Sequence, residues 1–158
     1  AAGASALVGG QCDDLAAENL TGDEDEPRVQ SAMIKTLHAI HRRKTGALIQ
    51  ASARLGGIAA GADEEALAAL GRYGSALGLA FQITDDVLDV QGDEQSMGKR
   101  VQKDAQKGKL TFPNLIGLEE SRRRAEELVS EACHAAAHFG DRSGPLQAIA
   151  RFVNAREN

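Results

Sequence analysis

The sequence is poor in aromatic residues, proline and cysteine. Its 158 residues include no Trp, 1 Tyr, 3 Pro and 2 Cys, and aromatic residues make up 3% of the chain. Because alanine is common where aromatic residues are scarce, this composition favours tightly packed helices. Cys12 and Cys133 lie far apart and outside any metal-ligand pattern. We therefore expect buried, reduced thiols in a cytoplasmic protein, although a disulfide between them stays open.

Signals for export, membrane insertion and nucleic-acid binding are also missing. Residues 1–20 have no basic segment before their apolar residues, and no apolar run is long enough to cross a bilayer. The net charge of −5 disfavours a nucleic-acid partner, because proteins that bind a phosphate backbone usually carry a positive field. We expect a soluble protein with no stable membrane insertion and no nucleic-acid partner. The buried-looking start, AAGASALVGG, suggests that the sequence begins inside a larger fold.

The spacing of apolar residues predicts helices and no sheet. No segment alternates apolar and polar residues with a period of two, whereas apolar residues recur at helical spacing. The predicted fold class is all-α, with residues 1–158 forming a single all-helical domain large enough to bury a core. The expected helices cover residues 1–20, 29–60, a stretch from the Asp63 cap to the acidic residues 85–89, 113–118, 119–139 and 146–156, with loops at 21–27 and 92–112.

Three carboxylates in a DDxxD pattern form the strongest candidate site. Asp85 and Asp89 are one helical turn apart on one face, and Asp86 lies to one side. A cation between them would offset their repulsion, and Mg²⁺ usually binds one or two carboxylates plus water and phosphate oxygens. Apolar residues surround all three, which fits a cleft better than a helix cap or a solvated acidic face. We take Asp85, Asp86 and Asp89 as candidate Mg²⁺ ligands.

Basic and polar residues elsewhere suit a polyphosphate. Lys44 and Thr45 could donate to a phosphate, although a solvated basic patch is the alternative. Gln11 and Asp14 on another Ala-rich helix suggest that polar groups share one wet interior face. The three carboxylates are followed in sequence by a basic segment, which contains Lys99, Arg100, Lys103, Lys107 and Lys109. An acidic segment followed by a basic one predicts that a hard cation and a diphosphate bind side by side.

Other spacings do not predict a site. His38 with His41, and His134 with His138, lack a third zinc ligand and the glutamate of an HExxH pattern. No GxSxG or Cys/His arrangement supports a covalent nucleophile. Gly71 and Gly74 have no preceding strand, so they favour close helix contact over phosphate binding. The arginines at 122–124 have glutamates on both sides, at 119–120 and 126–127, and such charge pairing is expected of an exposed helix.

Four motifs follow one another along the chain and span most of it. They are Gly10-Gln11-x-x-Asp14-Leu15, His41-x-x-Lys44-Thr45-Gly46, Phe81-Gln82-x-x-Asp85-Asp86-x-x-Asp89, and the segment containing Gly98-Lys99, Lys103-Asp104, Gly108-Lys109, Thr111 and Pro113. Together they resemble, in the same order, the motifs of the trans-isoprenyl diphosphate synthases, most closely the bacterial farnesyl diphosphate synthases, or geranyltranstransferases. The tail, from Leu146 to Arg156, is similar to the family's terminal helix.

The resemblance implies a helical bundle around a deep central cavity, usually in a homodimer. It implies Mg²⁺-dependent condensation of an allylic diphosphate, dimethylallyl or geranyl, with isopentenyl diphosphate to a short-chain product such as farnesyl diphosphate. Asp85, with Asp89, would hold one Mg²⁺. The catalytic residues would be Asp85, Lys44 and Lys99. The diphosphate would contact Lys44, Lys99 and Lys109, supported by Gln11, Thr45 and Gln82, while Asp14 would orient Lys44.

Two departures from the family pattern limit the expectation. The first aspartate-rich motif and the N-terminal basic set for isopentenyl diphosphate are not in this sequence, so it resembles the C-terminal half and is expected to be inactive alone. Gln102 stands where the family often has glycine. A non-catalytic partner subunit and a terpene-cyclising enzyme stay open as alternatives. The retained DDxxD and lysines argue against the first, and the GKxTxP-like segment argues against the second.

Overall fold

Helices form nearly all of the regular structure in residues 1–17, 27–96 and 109–156, the part of the chain that the computed structural model describes. No strand occurs within those ranges, which confirms the all-α prediction. The elements, in chain order, are α1 (Leu7–Ala17), α2 (Pro27–His41), a π-helical turn (Arg42–Gly46), α3 (Ala47–Ala59), α4 (Glu64–Ser96), α5 (Phe112–Ile116), α6 (Leu118–Ala136), a 3-10 segment (Ala137–Ser143) and α7 (Gly144–Asn154).

The long helix predicted over residues 29–60 is interrupted by the π-helical turn. There the Ala47 N–H bonds to the carbonyl of Arg42, five residues back, instead of four. Gly46, at the end of this turn, is buried against α4, because a Cβ added at Gly78 would lie 2.6 Å from the Gly46 Cα. The interruption changes the register of α3 relative to α2 and falls on the HxxKTG motif.

The predicted boundary between α3 and α4 is confirmed in its chemistry. Gly61 follows α3 with a φ of 72°, a conformation that glycine adopts at low cost. Asp63 caps α4, since its Oδ1 accepts the Ala66 N–H at 2.8 Å. The helix then continues to Ser96. Residues 92–96, predicted as loop, are therefore helical.

The core lies where α4 packs against α2, α5, α6 and α7. Its largest fully buried side chains include Leu37, Ile83 and Phe112. The Tyr73 hydroxyl donates to the Leu146 carbonyl at 2.9 Å and ties α4 to α7. These contacts fix α4 in the middle of the described structure, with its acidic residues next to α2 and α5.

Glycines allow α3 to approach α4 closely. A Cβ at Gly74 would lie 2.5 Å from the Gln50 Cα. Close helix contact is thus confirmed for Gly74, whereas a Cβ at Gly71 would meet only the ends of side chains, the nearest being Arg54 at 3.4 Å.

The C-terminal helices begin and end at other residues than predicted. The predicted helix 119–139 ends as α-helix at Ala136 and continues as a 3-10 segment, in which Gly140 has a φ of 55°. The terminal helix is α7, which begins at Gly144 instead of residue 146. The arginine cluster pairs with glutamates as predicted, for example Arg124 with Glu127 at 3.1 Å.

The prediction of two buried cysteines is wrong for Cys12. Cys12 is exposed and Cys133 is partly buried, and both thiols are free. Cys12 projects outward because α1 turns Gly10 and Ala17 inward. In the described ranges, no helix combines the length and apolar character needed to cross a bilayer.

Candidate active site

The predicted motifs meet in pairs of opposite charge. Lys44 Nζ lies 2.6 Å from Asp14 Oδ2, which links α1 to the π-helical turn. Lys109 Nζ lies 3.2 Å from Asp89 Oδ2, which links the residue before α5 to α4. These two ion pairs involve one residue from each of the four sequence motifs, and residues 98–108 of the fourth motif lie outside the described residues.

Glycine brings α1 into backbone contact with the π-helical turn. A Cβ at Gly10 would lie 2.4 Å from the Lys44 backbone nitrogen. Asp14 follows Gly10 by four residues and therefore projects from the same face of α1. The carboxylate reaches the Lys44 ammonium for this reason. A second bond from Arg43 to Asp13 holds the same crossing.

The two ion pairs influence each other electrostatically. Burial lowers the pKa of Lys109, but the hydrogen bond to Asp89 and the charges of Asp89, Asp86 and Asp14 outweigh it and raise that pKa. Asp14 belongs to the other ion pair, so the carboxylates of both pairs act on one ammonium group. The arrangement is a cluster of carboxylates and ammonium groups, and it suits a ligand that carries both a cation and an anion.

Asp85 and Asp89 offer oxygen ligands to such a cation. Their side chains are 51% and 60% exposed, one helical turn apart on α4. Carboxylate oxygens are the ligands that Mg²⁺ prefers. No three His, Cys, Asp or Glu residues in the described ranges are grouped as a metal site. Mg²⁺ would therefore need water or phosphate oxygens as further ligands, as it commonly does.

Asp86 is placed differently from its two neighbours. Its side chain is 15% exposed, and its Oδ2 accepts the Phe112 N–H at 3.1 Å and lies 3.8 Å from His41 Nε2. Burial raises the pKa of Asp86 to about 7, against the opposing effects of the Phe112 N–H and the Lys109 charge. Burial also lowers the pKa of His41 to about 4.

The histidines at positions 38 and 41 pack against an aromatic ring. The Phe112 ring is 5.1 Å from that of His38, edge to face, and 5.6 Å from that of His41. Their spacing, which resembles a pair of metal ligands, places both imidazoles on the side of α2 that faces α5.

Sequence reasoning missed Arg156 as a site residue. Its Nη2 lies 3.2 Å from Asp85 Oδ1, and its guanidinium lies 4.3 Å above the Phe81 ring. The sequence named Arg156 only as the end of the terminal helix. The signal for it in the sequence is a positive charge at the end of the segment that resembles the family's terminal helix.

The other predicted donors are distributed over the same elements. Gln11 is exposed on α1, Thr45 is partly buried in the π-helical turn, and Gln82 is buried in α4 at 7% exposure. Lys99, predicted as a catalytic and diphosphate-binding residue, lies outside the described residues, as does Gln102.

Comparisons with known proteins agree with these motifs. The chain is 41% identical to a chloroplastic geranylgeranyl pyrophosphate synthase of Arabidopsis thaliana, over 100% of this chain and 43% of the relative. It is 40% identical to the farnesyl diphosphate synthase of Escherichia coli strain K12, over 97% of this chain and 49% of the relative. The chain spans about half the length of these curated relatives.

Solved structures and a family model also match this chain. The geranyltransferase of Helicobacter pylori, solved as a complex with magnesium and isoprenyl diphosphate, is similar with a TM-score of 0.68 and 30% identity. That similarity covers 96% of this chain and 48% of the solved chain. Residues 2–141, which include all four motifs, match the family model of the polyprenyl synthetases. The chain therefore belongs to the polyprenyl synthetase family.

Proposed function

We propose that this chain carries the diphosphate-binding part of a prenyltransferase that condenses an allylic diphosphate with isopentenyl diphosphate. The observation that supports this most is the pair of lysine–aspartate contacts, Lys44 with Asp14 and Lys109 with Asp89. The carboxylates of both contacts raise the pKa of Lys109. Dimethylallyl or geranyl diphosphate is the proposed allylic substrate. The proposed product is a short-chain isoprenyl diphosphate such as farnesyl diphosphate, the product named for one of the relatives.

The reaction explains why ammonium groups and carboxylates are needed together. The bond between the allylic carbon and the diphosphate oxygen breaks, and the diphosphate leaves with the electron pair. In our proposal Lys44 and Lys109 neutralise the charge that develops on the leaving oxygens. Asp14 orients Lys44 at 2.6 Å. Lys99, Gln11, Thr45 and Gln82 are proposed as further donors to the diphosphate.

Mg²⁺ is the proposed cofactor, held by the two outer carboxylates of the DDxxD motif. When bound, it supplies positive charge at the leaving diphosphate. Asp85 and Asp89 are exposed enough to meet it together with a phosphate oxygen. The magnesium in the Helicobacter pylori relative supports this choice. Arg156 lies beside Asp85, so Mg²⁺ binding would require Arg156 either to share the Asp85 carboxylate with the ion or to move away from it.

We take residues 1–158 as one helical domain that corresponds to the C-terminal part of such an enzyme. Alone it is proposed to be inactive, because the family's first aspartate-rich motif and the basic set for isopentenyl diphosphate are not in its sequence. The central cavity, the homodimer and the cytoplasmic location implied by the resemblance stay predictions.

Two substitutions in the full-length protein test the proposal. Asp85→Ala should lower turnover about 100-fold or more, because it removes a ligand that positions charge at the leaving group. It should also weaken Mg²⁺-dependent binding of inorganic pyrophosphate. Lys44→Ala should raise the KM for the allylic diphosphate. Steady-state kinetics with radiolabelled isopentenyl diphosphate, and calorimetry with Mg²⁺ and pyrophosphate, measure these effects.

Matched controls make the result decisive. Lys35→Ala and Asp141→Ala remove the same charges at exposed positions outside the cluster, so both should leave kinetics unchanged. Wild-type kinetics in Asp85→Ala would contradict the assignment. A cyclic hydrocarbon as product would favour the terpene-cyclising alternative, and activity only in the presence of a second, different subunit would favour the partner-subunit alternative.

A further inference from the structure

The middle carboxylate of the DDxxD motif faces the protein interior. Asp86 is 15% exposed, whereas Asp85 and Asp89 are 51% and 60% exposed. The two outer carboxylates face arginine and lysine side chains, namely Arg156 and Lys109. Asp86 instead accepts the backbone N–H of a residue 26 positions later in the chain, Phe112.

Phe112 is a fixed point in the structure. Its side chain is 1% exposed, and its ring lies against those of His38 and His41 on α2. Its N–H belongs to the first turn of α5, where no carbonyl of the same helix can accept it. The Asp86 carboxylate supplies the acceptor at 3.1 Å and so joins α4, α5 and the two histidines of α2.

Lys109 lies three residues before this fixed point. Three residues of chain span at most about 11 Å, so fixing Phe112 restricts where Lys109 can lie. The turn between them is held further, because Asn114 Nδ2 donates to the Lys109 carbonyl at 2.8 Å. Thr111 Oγ1 accepts the Asn114 N–H at 3.4 Å. The position of the Lys109 backbone therefore depends on α5, and the position of α5 depends on the bond from Phe112 to Asp86.

We propose that Asp86 is a positioning residue and not a magnesium ligand: it holds the start of α5 so that the Lys109 ammonium stands beside Asp89. The role of Lys109 in this inference rests on the proposed function, whereas the hydrogen bond from the Phe112 N–H to Asp86 is independent of it. It divides the DDxxD motif into two outer carboxylates that face the ligand and one inner carboxylate that holds the lysine-bearing segment.

Two variants of the full-length protein separate the two roles. Asp86→Asn keeps an oxygen that can accept the Phe112 N–H, whereas Asp86→Ala does not. We expect Asp86→Asn to keep the Mg²⁺ affinity within about twofold in the presence of pyrophosphate, while Asp85→Asn and Asp89→Asn lower it about tenfold or more. We expect Asp86→Ala to speed amide exchange of Phe112 about tenfold, and Asp86→Asn to leave it nearly unchanged.

A double-mutant comparison tests the link to Lys109. If Asp86 acts through Lys109, pyrophosphate affinity in Asp86→Ala with Lys109→Ala should be no lower than in Lys109→Ala alone. The proposal is overturned if Asp86→Asn weakens Mg²⁺ binding as much as Asp85→Asn does. It is also overturned if Phe112 exchange is unchanged in Asp86→Ala.

Two further outcomes distinguish a failure of this inference from a failure of the proposed function. If Asp86→Ala does not fold, the Mg²⁺ affinity of Asp86→Asn still decides whether Asp86 is a ligand. If the wild-type protein does not bind Mg²⁺ and pyrophosphate at all, the proposed function fails. Phe112 exchange in the two Asp86 variants would then still decide whether this carboxylate positions α5.

Discussion

His41 and Asp86 together bind one proton over the weakly acidic range, in the folded and in the unfolded chain. In the fold, the pKa of Asp86 is about 7 and that of His41 about 4, so the carboxyl holds the proton and the imidazole is neutral between these values. In the unfolded chain the ordinary values are 3.8 and 6.5, so the imidazole holds the proton. Burial causes both shifts, because it disfavours either charge. The other charged or titratable groups acting on the pair are Asp14, His38, Lys44, Asp89 and Lys109.

Because the proton is held by different groups in the folded and unfolded chains, the stability of two variants of the metal-free protein should depend on pH in opposite directions. In Asp86→Asn only His41 remains; its pKa is lowered on folding, so the unfolded chain binds more protons and stability should rise from about pH 4 to pH 6.5. In His41→Asn only Asp86 remains; its pKa is raised on folding, so stability should fall from about pH 4 to pH 7. Each slope should approach, at most, about 1.4 kcal/mol per pH unit.

Urea unfolding of both variants and the wild type at several pH values measures these slopes. The wild type should show little dependence from this pair, because the two contributions cancel between pH 4 and 6.5. Equal slopes in all three proteins would contradict the shifted pKa values.

At the scale of residues, the sequence indicates only those contacts of the site that the family resemblance implies. The resemblance implies that Asp14 orients Lys44, and in the structure Lys44 Nζ lies 2.6 Å from Asp14 Oδ2. The burial of Asp86 could not be predicted, because it depends on Phe112 and His41, which come from other elements. The contact of Arg156 with Asp85 is hidden for the same reason.

At the scale of elements, the close contact of α3 with α4 depends on glycine. Gly74→Ala would place a Cβ 2.5 Å from the Gln50 Cα, a backbone atom that cannot rotate away. We expect this substitution to lower the free energy of unfolding by about 1–3 kcal/mol, because the two helices must separate. Chemical denaturation measures the change.

Gly56→Ala is the matched control on the facing helix. A Cβ at Gly56 has no heavy atom within 4 Å, and the residue is exposed. Alanine has the higher helix propensity, so this variant should be neutral or more stable by up to about 1 kcal/mol. A neutral Gly74→Ala would show that α3 and α4 are not held at the distance described.

Periodicity located the helices well and their irregular turns poorly. It predicted α4 and the Asp63 cap, because both are local properties of the sequence. It missed the π-helical turn over Arg42–Gly46, since this turn, RRKTG, contains no apolar side chain that could reveal a change of period. The packing of Gly46 against Gly78 accompanies the turn, and this contact is 32 positions apart in sequence.

At the scale of the whole molecule, apolar side chains are divided between a core and an outer surface. Leu37 and Ile83 are fully buried, whereas Leu55 and Ile58 on α3 are 63% and 57% exposed. Apolar residues on the outside of α1 and α7 add to this surface, including Val8, Leu15, Ile149 and Phe152. Exposed apolar surface of this kind is common where another part of a protein or another subunit packs. The chain also spans about half the length of its relatives.

Leucine-to-alanine substitutions at a buried and at an exposed position test this division between core and surface. In the 158-residue chain, Leu37→Ala should lower the free energy of unfolding by about 2–5 kcal/mol, because it removes contacts in a closed core and leaves a cavity. Leu55→Ala should change it by no more than about 0.5 kcal/mol, because a side chain that is 63% exposed loses little on truncation. Urea unfolding followed by circular dichroism compares them, and equal costs would contradict the described burial. The same pair in the full-length protein is more informative still. Leu37→Ala should cost the same there, so any additional cost of Leu55→Ala measures how much further chain or subunit covers α3.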